Sequence, residues 1–164
     1  LTQIRQGCLD LAAQKVATNP DLKTMSRDDW DARPQKLMKD WGHDLVHSFT
    51  DFDEAHTVMT GASDALNNAP AILFVTIPKQ TPDWAILDAG AFMQSLLLAA
   101  TAKGLGSIPT YNSVRYPQVV RQVLGIPETE RLLVGVELGY ESSAKVNAFR
   151  AQRPDLSDVL KISE

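Results

Sequence analysis

Along the first part of the chain, apolar residues recur every three to four positions. Leu1, Ile4, Cys8, Leu11, Ala12 and Val16 form one stripe with Arg, Gln and Lys between them. That spacing predicts an amphipathic helix over residues 1–18, stopped by Asn19-Pro20. Residues 20–34 are polar, contain two prolines and an isolated Trp30, and read as a loop. Helical spacing resumes over 35–49 with Leu37, Met38, Trp41, Leu45, Val46 and Phe49, and again over 54–66, ending at Asn67-Asn68.

The pattern then changes period. Ala71 to Ile77 is a short, almost wholly apolar run between Pro70 and Pro78, which predicts a strand buried on both faces. Thr81-Pro82-Asp83 reads as a helix start, with Thr81 as N-cap, proline in the first turn and an acid near the positive end of the dipole. The helix runs to Lys103, with Gly104 as its C′ residue. It is apolar nearly all round, which predicts a central, covered helix. Gly106 to Tyr111 forms a second strand, Tyr116-Pro117 opens a helix that Gly125 ends, and Leu132 to Leu138 forms a third buried strand. The tail from Glu141 is polar.

Helices come first, then strand–helix–strand–helix–strand. The fold class is α+β, or an α/β sandwich with a small central sheet flanked by helices, in a single domain over 1–164. Three strands are few for this much helix, so a sheet of usual size would draw on a missing segment or a partner chain.

Composition narrows the function. A chain of 164 residues can bury a core. Its net charge of -4 argues against a nucleic-acid partner, which needs a basic face. Local arginines can still hold a small anionic ligand. Cys8 is the one cysteine, so no disulfide forms within the chain, and a reducing, cytoplasmic location is expected. No membrane partner is expected, because the most apolar stretch, from Trp84 to Ala102, is broken by Asp88 and Gln94. The start, Leu1-Thr2-Gln3, has neither a methionine nor the look of a signal peptide, and reads as processed, truncated or cut.

Side-chain chemistry is sparse. His43 and His47 share a helix face at i and i+4, as in a zinc-protease helix, but Asp44 stands where that motif needs the longer Glu. Two solvated histidines and no metal are the expectation. Asp51, Asp53 and Glu54 near His56 read as a solvated helix cap, and Cys8 as core. Lys103-Gly104-Leu105-Gly106 follows a helix, where the dipole repels phosphate, and reads as a C-cap. Asp88 needs either a partner or a solvated edge. With no nucleophile–base constellation, the chemistry falls to a cofactor.

One ordered set of residues is more specific. It runs Asp88-Ala89-Gly90, Leu96-Leu97-Leu98-Ala99-Ala100, Lys103-Gly104-Leu105-Gly106-Ser107, Val123-Leu124-Gly125-Ile126-Pro127 and Leu138-Gly139-Tyr140. Over some 80 residues this resembles the C-terminal half of flavoproteins of the nitroreductase family. The resemblance implies a nitroreductase-like α+β fold, an intertwined homodimer and FMN at the dimer interface. It implies NADH or NADPH as co-substrate, and a nitroaromatic, quinone or similar small-molecule electron acceptor, in ping-pong fashion. It assigns no catalytic side chain, since the flavin reacts. Ile108-Pro109-Thr110-Tyr111-Asn112 match the place where family members offer backbone N–H groups near the flavin N5. Arg150 and Arg153 match the basic tail residues that reach the FMN phosphate, and the spacing fits Arg153 better. The family's Arg-Arg-Ser-x-Arg and Pro-Ser-x-x-Asn-x-Gln-Pro-Trp segments do not occur here. The resemblance therefore implies a missing N-terminal segment, held as a separate fragment, or a flavin-less relative acting as a binding or structural module. Within 20–49, Trp30, Trp41 and Phe49 are candidates for a lid over the flavin. Core packing is the other account, and the better one for Trp41.

Overall fold

The structure, a computed structural model, describes residues 1–163. In chain order the elements are α1 (Thr2–Ala13), α2 (Ala32–Val46), α3 (Phe52–Asp64), β1 (Ala71–Pro78), α4 (Trp84–Ala102), β2 (Gly106–Thr110), α5 (Pro117–Leu124), β3 (Glu130–Gly139) and the short α6 (Leu156–Val159). They fall into two compact units. One comprises Leu1–Thr24 and Val58–Glu141; the other comprises Met25–Thr57 with the tail from Ser142.

In the first unit the sheet has the order β1-β3-β2, and both outer strands run antiparallel to β3. The register runs from Ala71 opposite Leu138 to Pro78 opposite Glu130, with an irregularity between Val75 and Thr76. On the other side it runs from Gly106 opposite Gly139 to Thr110 opposite Gly135. The Val- and Leu-rich β3 is buried as its sequence predicts, with Leu132 and Val136 inaccessible. Its Leu132 joins Ile4 and Cys8 of α1, Val120 of α5, and Leu66, Val114 and Tyr116 in the main core. Burying each such aliphatic side chain contributes about 1.5–3 kcal/mol. Burial pushes the Cys8 thiol pKa up, against the opposing pull of the Arg115 charge.

Two expectations fail for one reason. β1 is not covered on both faces: Val75 is its buried residue, and Leu73 is exposed. Nor is α4 a covered central helix, since its buried residue is Ala100, while Trp84, Leu87, Phe92 and Leu98 are exposed. β1 is an edge strand, and α4 packs mainly against β1 and β2. Sequence apolarity reports what a surface needs, and this chain supplies cover on one side. Asp88 lies on the exposed part of α4.

Helix boundaries show which signals dominate. The αL residues Gly104 and Gly125 end α4 and α5 as predicted, with φ of 73° and 69°. After α4, Leu105 N–H bonds Ala100 O and Gly104 N–H bonds Thr101 O, the Schellman pattern. Thr81 is not the N-cap: its hydroxyl donates to Pro78 O, and α4 starts after Asp83. α1 stops at Ala13, short of residue 18, because Lys15 turns to φ 54° and Val16 N–H bonds back to Leu11 O. α2 begins at Ala32, placing Pro34 in the first turn, where a missing N–H costs nothing. After α3 the chain makes a left-handed turn at Leu66, Asn67 and Asn68, with φ of 52°, 49° and 50°. Asparagine tolerates this conformation and leucine does not, but the Leu66 side chain is 1% exposed and its burial offsets the strain. Arg5 brackets the turn by donating to Ala65 O and Ala69 O.

In the second unit, the acidic cluster is a helix cap. Asp51 Oδ1 accepts from Glu54 N–H at 2.9 Å, and Glu54 Oε2 accepts from Thr50 N–H at 2.6 Å. This is close to a capping box. The Thr50 N–H holds the Glu54 carboxyl below its usual pKa. A lowered carboxylate adds stability above its ordinary pKa, and that stability is lost as pH falls through the lowered value. Asp51→Ala is expected to cost about 1 kcal/mol, read as a lower midpoint in urea unfolding followed by far-UV circular dichroism. An unchanged midpoint would show that the cap does not hold α3.

Candidate functional site

The segment singled out from sequence lies at the end of β2 and in the turn after it. Ile108 and Pro109 are exposed on the edge strand. Pro109 has no N–H, so the donors of the segment come from its neighbours. Thr110, paired with Gly135, is the last strand residue. The chain then turns through Tyr111 into a 3-10 turn at Asn112–Val114. Among the described residues, the Tyr111 and Asn112 N–H groups find no acceptor. Two adjacent uncommitted amides on one turn are what an acceptor-rich ring edge needs.

The turn is fixed from beneath by polar groups. Ser113 is inaccessible; its hydroxyl donates to Thr110 O at 2.8 Å and lies 2.9 Å from Thr110 Oγ1. Thr110 Oγ1 donates to Glu137 Oε1 at 2.7 Å, and Asn67 Nδ2 donates to Glu137 Oε2 at 2.7 Å. Glu137 is 2% exposed on the central strand. Asn112 Nδ2 donates to Ser63 of α3. Ser113 seats this closely because its neighbour on β3 is Gly135: a Cβ there would lie 2.2 Å from Ser113 Oγ and 2.7 Å from its Cβ.

Beside the sheet, β1 and α4 enclose an open groove lined by Leu73, Val75, Ile77, Asp88, Ala89 and Phe92. Thr76 lines it too, and the lining is otherwise apolar but for the Asp88 carboxylate.

Arg150 and Arg153 belong to the second unit. Arg150 Nη1 donates to Asn147 O at 2.7 Å and to Phe149 O at 2.9 Å, so one guanidinium edge is spent on its own turn. Arg153 is exposed and, among the described residues, makes no ion pair or hydrogen bond. Phe149 packs edge-on against Trp41, with centroids 6.2 Å apart at 78°. Trp41 is nevertheless 41% exposed, and thus packs the tail instead of filling a core. His43 and His47 are exposed with rings 5.0 Å apart, and His47 Nδ1 lies 3.0 Å from His43 O. His56 stacks on Phe52. Among the described residues no group of three or more His, Cys, Asp or Glu is arranged to hold a metal.

The structure thus places Pro109 and Thr110 at the end of β2, Tyr111 and Asn112 in the turn that follows, and the two arginines on the tail. Sequence reading passed over Glu137, Ser113 and Asn67. Glu137 did carry a signal: it is the lone acid in the run Leu132 to Leu138, and a carboxylate in a buried strand requires partners.

Comparison with known proteins places this architecture. The model of the nitroreductase family matches residues 3–140. A 4-nitrobenzoate reductase of Pseudomonas putida is 27% identical over 131 residues, covering 77% of this chain and 57% of that protein. Nitroreductase NfnB of Mycolicibacterium smegmatis is 35% identical over 96 residues, covering 58% of this chain and 41% of that protein. The chain spans about half the length of the curated relatives it matches. Among solved structures, the FMN-dependent nitroreductase NfnB from Mycobacterium smegmatis in complex with NADPH superposes with a TM-score of 0.86 at 25% identity, over 99% of this chain and 74% of that one. The antiparallel three-stranded sheet, the long apolar helix beside it and the match across 3–140 make this chain a member of the nitroreductase family, with that family's α+β fold.

Proposed function

We propose that the protein is an FMN-dependent oxidoreductase that passes electrons from NADH or NADPH to a nitroaromatic or similar small-molecule acceptor. The observation that carries this reading is the pair of uncommitted amides at Tyr111 and Asn112. It is supported by relatives named as nitrobenzoate reductases and by a neighbour solved with NADPH. Each unit's donors, taken separately, suit part of the cofactor: in the first, backbone N–H groups suit the acceptor edge of a flavin ring; in the second, a guanidinium with no partner among the described residues suits a phosphate. Bound FMN would supply the two-electron chemistry, in alternating half-reactions with donor and acceptor, and quinones fit the acceptor class.

The chain's own residues bind and orient. The Tyr111 and Asn112 amides would hold the acceptor edge of the ring with donors already set in direction. Arg153 is the phosphate ligand, and Arg150, already bonded to its own turn, a weaker one. Each role follows from the chemistry of one unit. The exposed apolar surface of α4 and β1 is assigned to a second copy of the chain, because a soluble monomer seldom leaves so much contiguous apolar surface open. A cytoplasmic location accords with the single, buried cysteine.

The test is a visible spectrum and an FMN titration of the purified protein, monitored by quenching of flavin fluorescence. Tight binding is expected, with Arg153→Ala weakening it about 10–100-fold through loss of a charge-assisted bond. A colourless protein that leaves added FMN fluorescent would sink the flavin reading and favour a binding or structural module.

A further inference from the structure

We propose that Glu137 is a positioning residue, a buried clamp that fixes the Tyr111 and Asn112 amides through Thr110. The inference rests on the flavin reading above and adds to it a residue bonded to the turn from the central strand.

The argument begins with the cost of Glu137. It lies on the central strand at 2% exposure, in a run where Leu132, Leu133 and Val136 are buried as well. Among the described residues no Lys, Arg or His stands at ion-pair distance from it. Its partners are the neutral donors Asn67 Nδ2 and Thr110 Oγ1, each at 2.7 Å. A buried carboxylate with neutral partners is a poor device for stability, and an apolar residue of similar volume would serve the core as well or better. Its two bonds go instead to places where the backbone needs holding. Asn67 sits in the left-handed turn after α3. Thr110 ends the edge strand, immediately before the two uncommitted amides.

The geometry closes on those amides. Glu137 holds the Thr110 hydroxyl, and Ser113 binds Thr110 at both Oγ1 and O. Residues 110 and 113 are therefore tied together and to β3, with the Tyr111 and Asn112 N–H groups lying between the two ties. An edge strand that ends in a turn would otherwise be free to rotate its amides. Donors add most to stabilising a developing charge when their direction is set in advance.

The pattern of bonds predicts a specific hierarchy among variants. In Glu137→Gln the amide can donate to Thr110 Oγ1, whose proton then goes to Ser113 Oγ, while the amide oxygen still accepts from Asn67. Every partner is kept and only the charge is lost. In Glu137→Ala both ties are lost, and in Thr110→Val the isosteric side chain loses one.

The experiment measures FMN dissociation constants and the midpoint potential of the bound flavin. It compares wild type, the three variants and Val120→Ala, a core truncation outside the clamp. Glu137→Ala and Thr110→Val are expected to weaken FMN about tenfold and to move the potential negative. Glu137→Gln should stay within about threefold of wild type, and Val120→Ala should lose stability without that shift. Should Glu137→Ala fail to fold, Thr110→Val and Glu137→Gln still decide the matter. Wild-type affinity and potential in Thr110→Val would overturn the clamp, as would a Glu137→Gln protein as weak as Glu137→Ala or a Val120→Ala protein with the same shift. A wild-type protein that does not bind FMN overturns the flavin reading first and the clamp with it, and this is seen before any variant is made.

Discussion

Replacing Arg121 with methionine is expected to destabilise the protein by about 3–5 kcal/mol, the usual cost of removing one partner of a buried ion pair. The Arg121 side chain is 7% exposed. It donates to Pro127 O at 2.7 Å and Glu130 O at 2.6 Å, and pairs with the Asp21 carboxylate. That carboxylate, 16% exposed, also accepts from Leu132 N–H at 2.7 Å. One guanidinium thus ties the loop after α1, the end of α5 and the start of β3. Methionine replaces the stem but leaves two carbonyls without their guanidinium donor, and a largely buried carboxylate with only the Leu132 N–H and no countercharge. Adding Asp21→Leu should recover part of the loss, because it removes the stranded charge. Urea unfolding measures both effects. A single variant with a wild-type midpoint would show that the pair is solvated and not structural.

Gly135→Ala is expected to cost about 3 kcal/mol, at the upper end of the range for overpacking. The new Cβ would come within 2.7 Å of Ser113 Cβ and 2.2 Å of its Oγ, with Ile72 Cγ2 at 3.3 Å on another side. Ser113 cannot swing aside, because its hydroxyl is bonded to Thr110 and its turn is buried. Either β3 shifts or the 3-10 turn lifts off, and the second outcome carries the Tyr111 and Asn112 amides with it. Gly135→Ala should therefore lower both thermal stability and FMN affinity. Loss of stability with unchanged FMN binding would show that the strand yields and the turn stays.

What could be read from the sequence was local. Gly104 and Gly125 named their own helix ends, since few other residues adopt positive φ without cost. The β3 run declared a central strand by its Val and Leu content, and Asp51 and Glu54 carried the spacing of a cap. The turn at 109–112 was found through a resemblance, not through any property of its side chains. Missed features depended on distant partners. Nothing beside Leu66 announces a left-handed leucine, because the burial that compensates it comes from α1 and α5. Thr81 had the composition of an N-cap, but α4 starts only after Asp83, and the Thr81 hydroxyl donates back to Pro78 O instead of accepting from a helix amide. The apolarity of α4 was read correctly as a demand for cover, and wrongly as proof that this chain provides it.

The strand order also bears on how the chain acquires its shape. β3 follows β1 and β2 in the chain and is the strand through which both are joined; among the described residues β1 and β2 make no ladder with each other. Ala71 must wait for Leu138, and Gly106 for Gly139. During translation the apolar β1, then α4 and β2, therefore emerge before the strand that joins the sheet. Loop closure across such separations slows folding, and unpaired strands are the species that aggregate. The interval in which the ribosome has released β1 but not yet β3 is the one in which unpaired strand edges are expected to be most open to aggregation.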